Sequence, residues 1–413
     1  MTIGKKEPDL EGPVQAQPVP VIAPTSSIVS TAVVAPTAAA RAMVDLVMVG
    51  KTIDWREVVR HHDLYVIGDL NGSGEALRAN LLSTGAVEMS PDGELVPLEA
   101  AHFVFVGDIV ADRSTDGLWC IQEINRFRSK VEALGGTVEV LAGNHEYLMV
   151  LYLLRETLFG QDLMSTIIKV GRGISELVKF SPTLERLLRI ESMMFSLNDK
   201  IPSLEERILK KMFNRRELAS EILKNMQESD DGREVLESLS IMNIGLRRDD
   251  NLIFHLPPSR EMICSFLRMA EKDGVDSALA QINVTYQSGV RGRLFNDDVR
   301  AMGEDFREME RYIWNPSVYS QFTDPGEMYL EDVDPIKKRL RKLGINAFFN
   351  GHIGRERGGL TPDDNSGLII VNCDQGAFHP DYPEAREYRS VARVTKDGSI
   401  FVGEKKLKAR GRS

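Results

Sequence analysis

Five short apolar runs in this chain each lead into polar side chains able to bind a metal ion, and four of them do so across a glycine. Leu64–Ile67 leads to Gly68-Asp69-Leu70-Asn71-Gly72, and Phe103–Val106 leads to Gly107-Asp108 and on to Asp112-Arg113. Val138–Leu141 leads to Gly143-Asn144-His145-Glu146, and Ala347–Phe349 leads to Asn350-Gly351-His352. Leu252–Phe254 runs straight into His255. Runs this short, rich in β-branched and aromatic residues and closed by turn signals, read as buried strands. A glycine before each ligand lets the backbone approach where a side chain would clash. One Gly-Asp after a strand is an ordinary turn, and one His on an apolar strand is an ordinary core residue. Five such endings in one chain demand a strand-rich core whose loops carry chemistry.

The wider pattern agrees. Strands are expected over Leu64–Gly68, Ala101–Gly107, Thr137–Ala142, Asn251–His255, Asn346–Gly351 and Gly367–Cys373, with a terminal hairpin, Ser390–Thr395 and Ser399–Gly403, about Asp397-Gly398. Helices are expected over Ser73–Leu82, with Ser73 as N-cap, and over Asp116–Leu134. The fold class is therefore mixed α/β (α+β), with strands feeding loops. Residues 147–248 instead carry Leu, Ile and Met at helical spacing, as in Leu184, Leu187 and Leu188 or Ile208, Leu209 and Met212. About four helices packed as hairpins are expected there, as an all-helical insertion in a core made of 46–146 and 249–404. Residues 1–45 read as a disordered Pro/Ala-rich tail or a targeting arm, and 405–413 as a frayed basic tail.

Composition excludes several classes. The net charge of −10 argues against bulk nucleic-acid or anionic-membrane binding, which need a basic face. Cys120, Cys264 and Cys373 lie far apart with no CxxC, so neither a disulfide scaffold nor a cysteine zinc knuckle is expected. Lys5 and Lys6 are followed at once by acidic residues and prolines, unlike a secretory leader, and no apolar run reaches the ~20 residues of a membrane span. The expectation is a soluble, cytoplasmic-type protein. The N-terminal arm and the insertion would also suit a bacterial protein delivered to a host cell.

Carboxylates, neutral imidazoles and an amide carbonyl suit a divalent pair such as Mn²⁺ or Fe²⁺. The series GDLNG (68–72), GDIVADRS (107–114), GNHE (143–146), FHLPP (254–258) and NGHIG (350–354) resembles the calcineurin-like metallophosphoesterases, and within them the phosphoprotein phosphatase family. That family's signature runs GDxHG, GDxVDRG, GNHE and two later strand-end histidines, and Trp314-Asn315-Pro316 looks like a variant of its WSDP segment. The resemblance spans about residues 62–403 outside the helical insertion. It implies a central β-sandwich flanked by helices and two divalent metal ions, Mn²⁺ first, with Fe²⁺, Zn²⁺ and Mg²⁺ as alternatives. By resemblance Asp69, Asn71, Asp108, Asn144, His255 and His352 hold the metals, with Asp108 bridging. His145 protonates the leaving group, Asp112 orients His145, and Arg113 binds phosphate oxygens.

Three departures stand out. Asn71 occupies the place of a family histidine and weakens the first metal position. Ala111 is an extra residue before Asp112-Arg113. A further phosphate-binding arginine has no clear match, leaving Arg291, Arg293, Arg355 or Arg357 as substitutes. The implied activity is hydrolysis of phosphomonoesters on phosphorylated proteins or peptides, on Ser/Thr or on Tyr, with the insertion selecting substrate or docking a partner protein. Two alternatives stay open: a nucleotide or dinucleoside polyphosphate hydrolase, with Tyr147, Phe378 or Tyr382 stacking on a base, and a catalytically weak phosphatase-like binding module.

Overall fold

The computed structural model describes residues 62–110, 114–154, 177–185, 216–256, 260–296, 312, 333–352, 360–362, 368–374, 390–402 and 405–407. All of them fall in the second of two units, Trp55–Ser413. The expected 1–45 tail, Asp112, Arg113, Trp314, Arg355, Arg357, Phe378 and Tyr382 lie outside the described residues.

Two sheets form the centre. In the first, β1 (Leu64–Ile67), β4 (His102–Phe105) and β5 (Thr137–Val140) run parallel. On the other side of β1, β11 (Val391–Val394), β12 (Ile400–Val402) and β13 (Lys405–Leu407) continue antiparallel. In the second sheet β7 (Asn251–Phe254), β8 (Ala347–Asn350) and β10 (Ile369–Asn372) are parallel. It is edged by antiparallel β6 (Gly245–Arg248) and β9 (Leu360–Pro362). A separate hairpin pairs β2 (Val87–Met89) with β3 (Leu95–Pro97).

Side chains alternate across each strand, and β1, β7 and β8 are buried on both faces. Leu64, Val66, Val104 and Val394 of the first sheet meet Ile253, Phe349 and Val371 of the second in one dry core. Their neighbours Tyr65, Phe103, Phe105, Phe254 and Phe348 point the other way, into a core shared with helices. Helix α1 (Gly74–Ser83) starts where Ser73 Oγ accepts the Ala76 N–H at 3.1 Å. Helix α2 (Gly117–Ala133) sets Phe127 edge-on to Phe103, with ring centroids 5.1 Å apart. On the far side, α6 (Arg260–Asp273) brings Phe266 to Phe254, whose ring also stacks on Phe348 at 5.9 Å. The result is a β-sandwich with helices on its outer faces, in an α/β (α+β) class.

The helical region differs from its expected bounds. Helix α3 (Asn144–Leu153) opens it, and α4 (Arg216–Glu228) and α5 (Asp230–Ile241) close its described part. The last four residues of the expected insertion are not helical but form β6. Leu218, Ile222, Met226, Val235 and Leu239 of α4 and α5 belong to the same apolar core as the sheets. Asn125 of α2 donates to Glu234 and Ser238 of α5 at 3.0 and 2.8 Å. Two further helices, α6 and the 22-residue α7 (Val275–Asn296), lie outside the expected insertion and pack with α5. Part of the expected basic tail is a strand: Lys405–Leu407 pair with β12 at the end of the first sheet. Among the described residues no helix is long and apolar enough to cross a membrane.

Candidate metal centre

The parallel strands deliver their ends to one place, as ligand sites in open parallel sheets require. Asp69 follows β1, Asp108 follows β4, and Asn144 and His145 follow β5; His255 follows β7 and His352 follows β8. One sheet thus supplies the carboxylates and the amide, and the other supplies two imidazoles. Asp108, His255 and His352 each offer a ligand atom, all within 4.8 Å of one another. His255 Nε2 lies 3.5 Å from Asp108 Oδ1, 3.2 Å from His352 Nδ1 and 2.9 Å from Asn144 Oδ1. Asn144 Oδ1 is also 2.7 Å from His352 Nδ1.

These donors fit a cation. His255 Nδ1 sits 2.9 Å from the Val106 carbonyl, which can only accept, so Nδ1 carries the ring proton. Its Nε2 then presents a lone pair to the Asn144 oxygen, also an acceptor. Burial holds His352 down to about 3, assisted by His255 and opposed by Asp108, and it also lowers His255. Both rings are therefore neutral at ordinary pH, the form that ligates metals. Burial would push the Asp108 carboxyl up. The surrounding imidazoles of His255, His145 and His352 and the His145 N–H outweigh it and hold it below the ordinary carboxylate value.

Tight loops make the convergence. Asn71, Asp108 and His352 all take left-handed backbone, with φ of 50°, 49° and 71°, a region that Asn, Asp and His enter more readily than other side chains. The Leu70 and Asn71 amides both donate to the Asp108 carbonyl, at 3.1 and 2.7 Å, tying the first loop to the second. The His352 amide donates to both Asp69 oxygens at 3.2 and 3.0 Å, joining the two sheets. His145, 8 % exposed, is the second residue of α3; its amide donates to Asp108 Oδ1 at 2.9 Å, and its Nε2 stands 3.9 Å from Asp108 Oδ2.

Asp69, Asp108, Asn144, His145, His255 and His352 are thus brought together, and Asn71 is held beside Asp108 through its backbone. Arg291 is solvent-exposed on α7, a helix that packs on α5, α6 and β6. Tyr147 is wholly buried within α3, which removes it as a base-stacking platform. Two carboxylates escaped the sequence reading. Glu146 is fully buried beside Asp108 and binds both loops. Asp374, 2 % exposed, follows β10 as Asp69, Asp108 and His352 follow their strands, and its charge favours protonation of His255. The same strand-then-polar pattern, Asn372-Cys373-Asp374, was the available signal.

No family model matches the chain, and no curated protein matches it. The chain is similar to a solved cold-active protein-tyrosine phosphatase from a psychrophilic Shewanella species, at 17 % identity over 84 % of this chain and 80 % of that one, with a TM-score of 0.48. A second structure of a cold-active protein tyrosine phosphatase gives 17 % identity over 84 % and 79 %, also with a TM-score of 0.48. Likenesses this distant carry no argument about activity.

Proposed function

We propose that this chain is a metal-dependent phosphomonoesterase of the phosphoprotein phosphatase type, acting on phosphorylated protein or peptide. The observation that supports it best is the meeting of Asp108, Asn144, His255 and His352 at the ends of strands from two sheets, with His145 beside them. Asp69, Asn71, Asp108, Asn144, His255 and His352 would hold two divalent cations, Mn²⁺ first. When bound, the cations supply Lewis-acid charge for the phosphate oxygens and for the attacking water.

The chain's own residues supply the rest. His145 would give a proton from its imidazole to the departing alcohol or phenol. Asp108 Oδ2 stands on that side of the imidazole, 3.9 Å from Nε2. Burial of the ligand set excludes bulk water and strengthens each interaction with phosphate. By the family resemblance, Asp112 orients His145 and Arg113 binds phosphate oxygens. The helical region is proposed as the surface that selects the substrate or docks a partner protein.

The test is hydrolysis of para-nitrophenyl phosphate with and without Mn²⁺, run on the intact chain and on His145→Ala. Turnover that needs the metal and falls at least ~100-fold in His145→Ala is the expected result. A folded protein with no turnover under any divalent ion would overturn the proposal. Phosphoserine, phosphothreonine and phosphotyrosine peptides then separate the substrate classes.

A further inference from the structure

We propose that Glu146 is the positioning residue of this centre, a carboxylate that sets the backbone from which Asp108 reaches the ligand cluster. Glu146 is the third residue of α3 and is fully buried. Its Oε2 accepts from the amides of Asp108 at 2.9 Å and Gly143 at 2.7 Å. Its Oε1 accepts from Ile109 at 2.7 Å and Val110 at 2.8 Å. One side chain thus takes four backbone donors from the loops after β4 and β5.

The loop it holds is one that does not hold itself. Gly107 and Asp108 both have positive φ, 107° and 49°, backbone that persists where its surroundings over-determine it. Asp108 answers the contact: its own Oδ1 accepts the His145 amide in the first turn of α3 at 2.9 Å. Each loop therefore lends a carboxylate to the backbone of the other. This exchange aims Asp108 at His255 Nε2, 3.5 Å away, and at His145 Nε2, 3.9 Å away. Burial and the adjacent Asp108 charge push Glu146 up to about 7, against the pull of its N–H donors. All four partners are donors, so the ionised carboxylate is the form that fits. Glutamine would turn its NH₂ on two of them. Glu146 lies behind the cluster and acts through Asp108.

The consequence for catalysis rests on the phosphomonoesterase reading; the consequence for the backbone does not. The experiment uses the full chain with Glu146→Gln and Glu146→Asp. It measures amide hydrogen exchange by mass spectrometry, Mn²⁺ affinity by titration with MnCl₂, and para-nitrophenyl phosphate kinetics. In Glu146→Gln, exchange at residues 108–110 and 143 is expected to rise at least ~10-fold, with Val66 and Val104 in the sheet interior unchanged. Mn²⁺ affinity is expected to fall ~10–100-fold, as for outer-shell partners of metal ligands, and kcat to fall with little change in KM. Glu146→Asp keeps the charge but cannot span both loops; its exchange pattern decides the matter should the Gln variant fail to fold. Unchanged exchange at 108–110, or a uniform rise across both sheets, overturns the inference. A wild-type chain that binds no Mn²⁺ refutes the metal reading instead, while the exchange comparison still judges Glu146.

Discussion

Adding one methyl group at Gly143 should damage this centre far more than it damages the fold. Gly143 has φ −89° and ψ 179°, ordinary extended backbone, so alanine carries no conformational penalty there. The obstacle is space. A Cβ at Gly143 would come closest to Asp108 Oδ1 and the Asp108 amide nitrogen, and it would stand 2.9 Å from Glu146 Oε2, where ordinary contact begins at 3.4 Å. Asp108 would have to retreat by about 1 Å, and a displacement of that size at a reacting centre costs roughly 100-fold in rate. Overpacking should cost about 1–3 kcal/mol of stability. Gly135→Ala is the comparator. Its φ of +88° makes alanine strained by roughly 1–2 kcal/mol, yet nothing lies within 4 Å of the added Cβ. The two variants should therefore melt at similar temperatures. Only Gly143→Ala should lose metal-dependent turnover of para-nitrophenyl phosphate. Retention of more than half the wild-type kcat by a folded Gly143→Ala, or equal losses in both variants, would refute the steric reasoning.

Asn71→His should tighten Mn²⁺ binding by roughly 10-fold in a calorimetric titration, because imidazole is the better donor and the left-handed backbone at 71 admits it. His102, lowered to about 4 by burial and by the Arg248 and His62 charges, makes the fold acid-sensitive. Its folded form refuses a proton that the unfolded chain binds below pH 6.5. Stability is therefore full above that pH and falls until about pH 4, by on the order of 2 kcal/mol given partial exposure. His102→Asn should flatten urea-measured stability across that window. Phe349→Ala, in the dry core between the sheets, should cost about 3–5 kcal/mol with both sheets' amides exchanging faster.

The strands that lead to the cluster were readable because each is a short apolar run that ends in polar residues, four of them across a glycine. Leu64–Ile67, His102–Phe105, Thr137–Val140, Asn251–Phe254, Ala347–Asn350 and Ile369–Asn372 all fall within the expected runs. The edges were not readable. β6 is Gly-Leu-Arg-Arg and β13 is Lys-Lys-Leu; edge strands owe their pairing to the neighbour rather than to their own pattern. Helix α3 shows no polar face, since all ten of its residues are buried, so the 3.6-residue stripe that marks a surface helix is missing. Glu146 stood in the Gly143–Glu146 run without a role of its own, because the contacts it makes are with amides 36 to 38 residues away in sequence. Among the clustered side chains, Asn144, His255 and His352 were legible from their positions after strands; Asp374 follows β10 in the same way, and the pairing of β10 with β8 places that strand end beside His352.

Asp69, Asp108 and Asn144 hang from one sheet and His255 and His352 from the other, and the bond from His255 to the Val106 carbonyl crosses the seam. The cluster is in this sense a vernier: it is in register only while the two halves of the sandwich are aligned. A slip of one sheet over the other by a fraction of the ~3.3 Å residue spacing would part the imidazoles from the carboxylates while every strand and helix stayed intact. Warming the protein should thus silence the centre before circular dichroism records any loss of secondary structure. A metal ion seated across the seam would resist that slip, riveting together two layers that, among the described residues, apolar contact and a few hydrogen bonds hold at that edge.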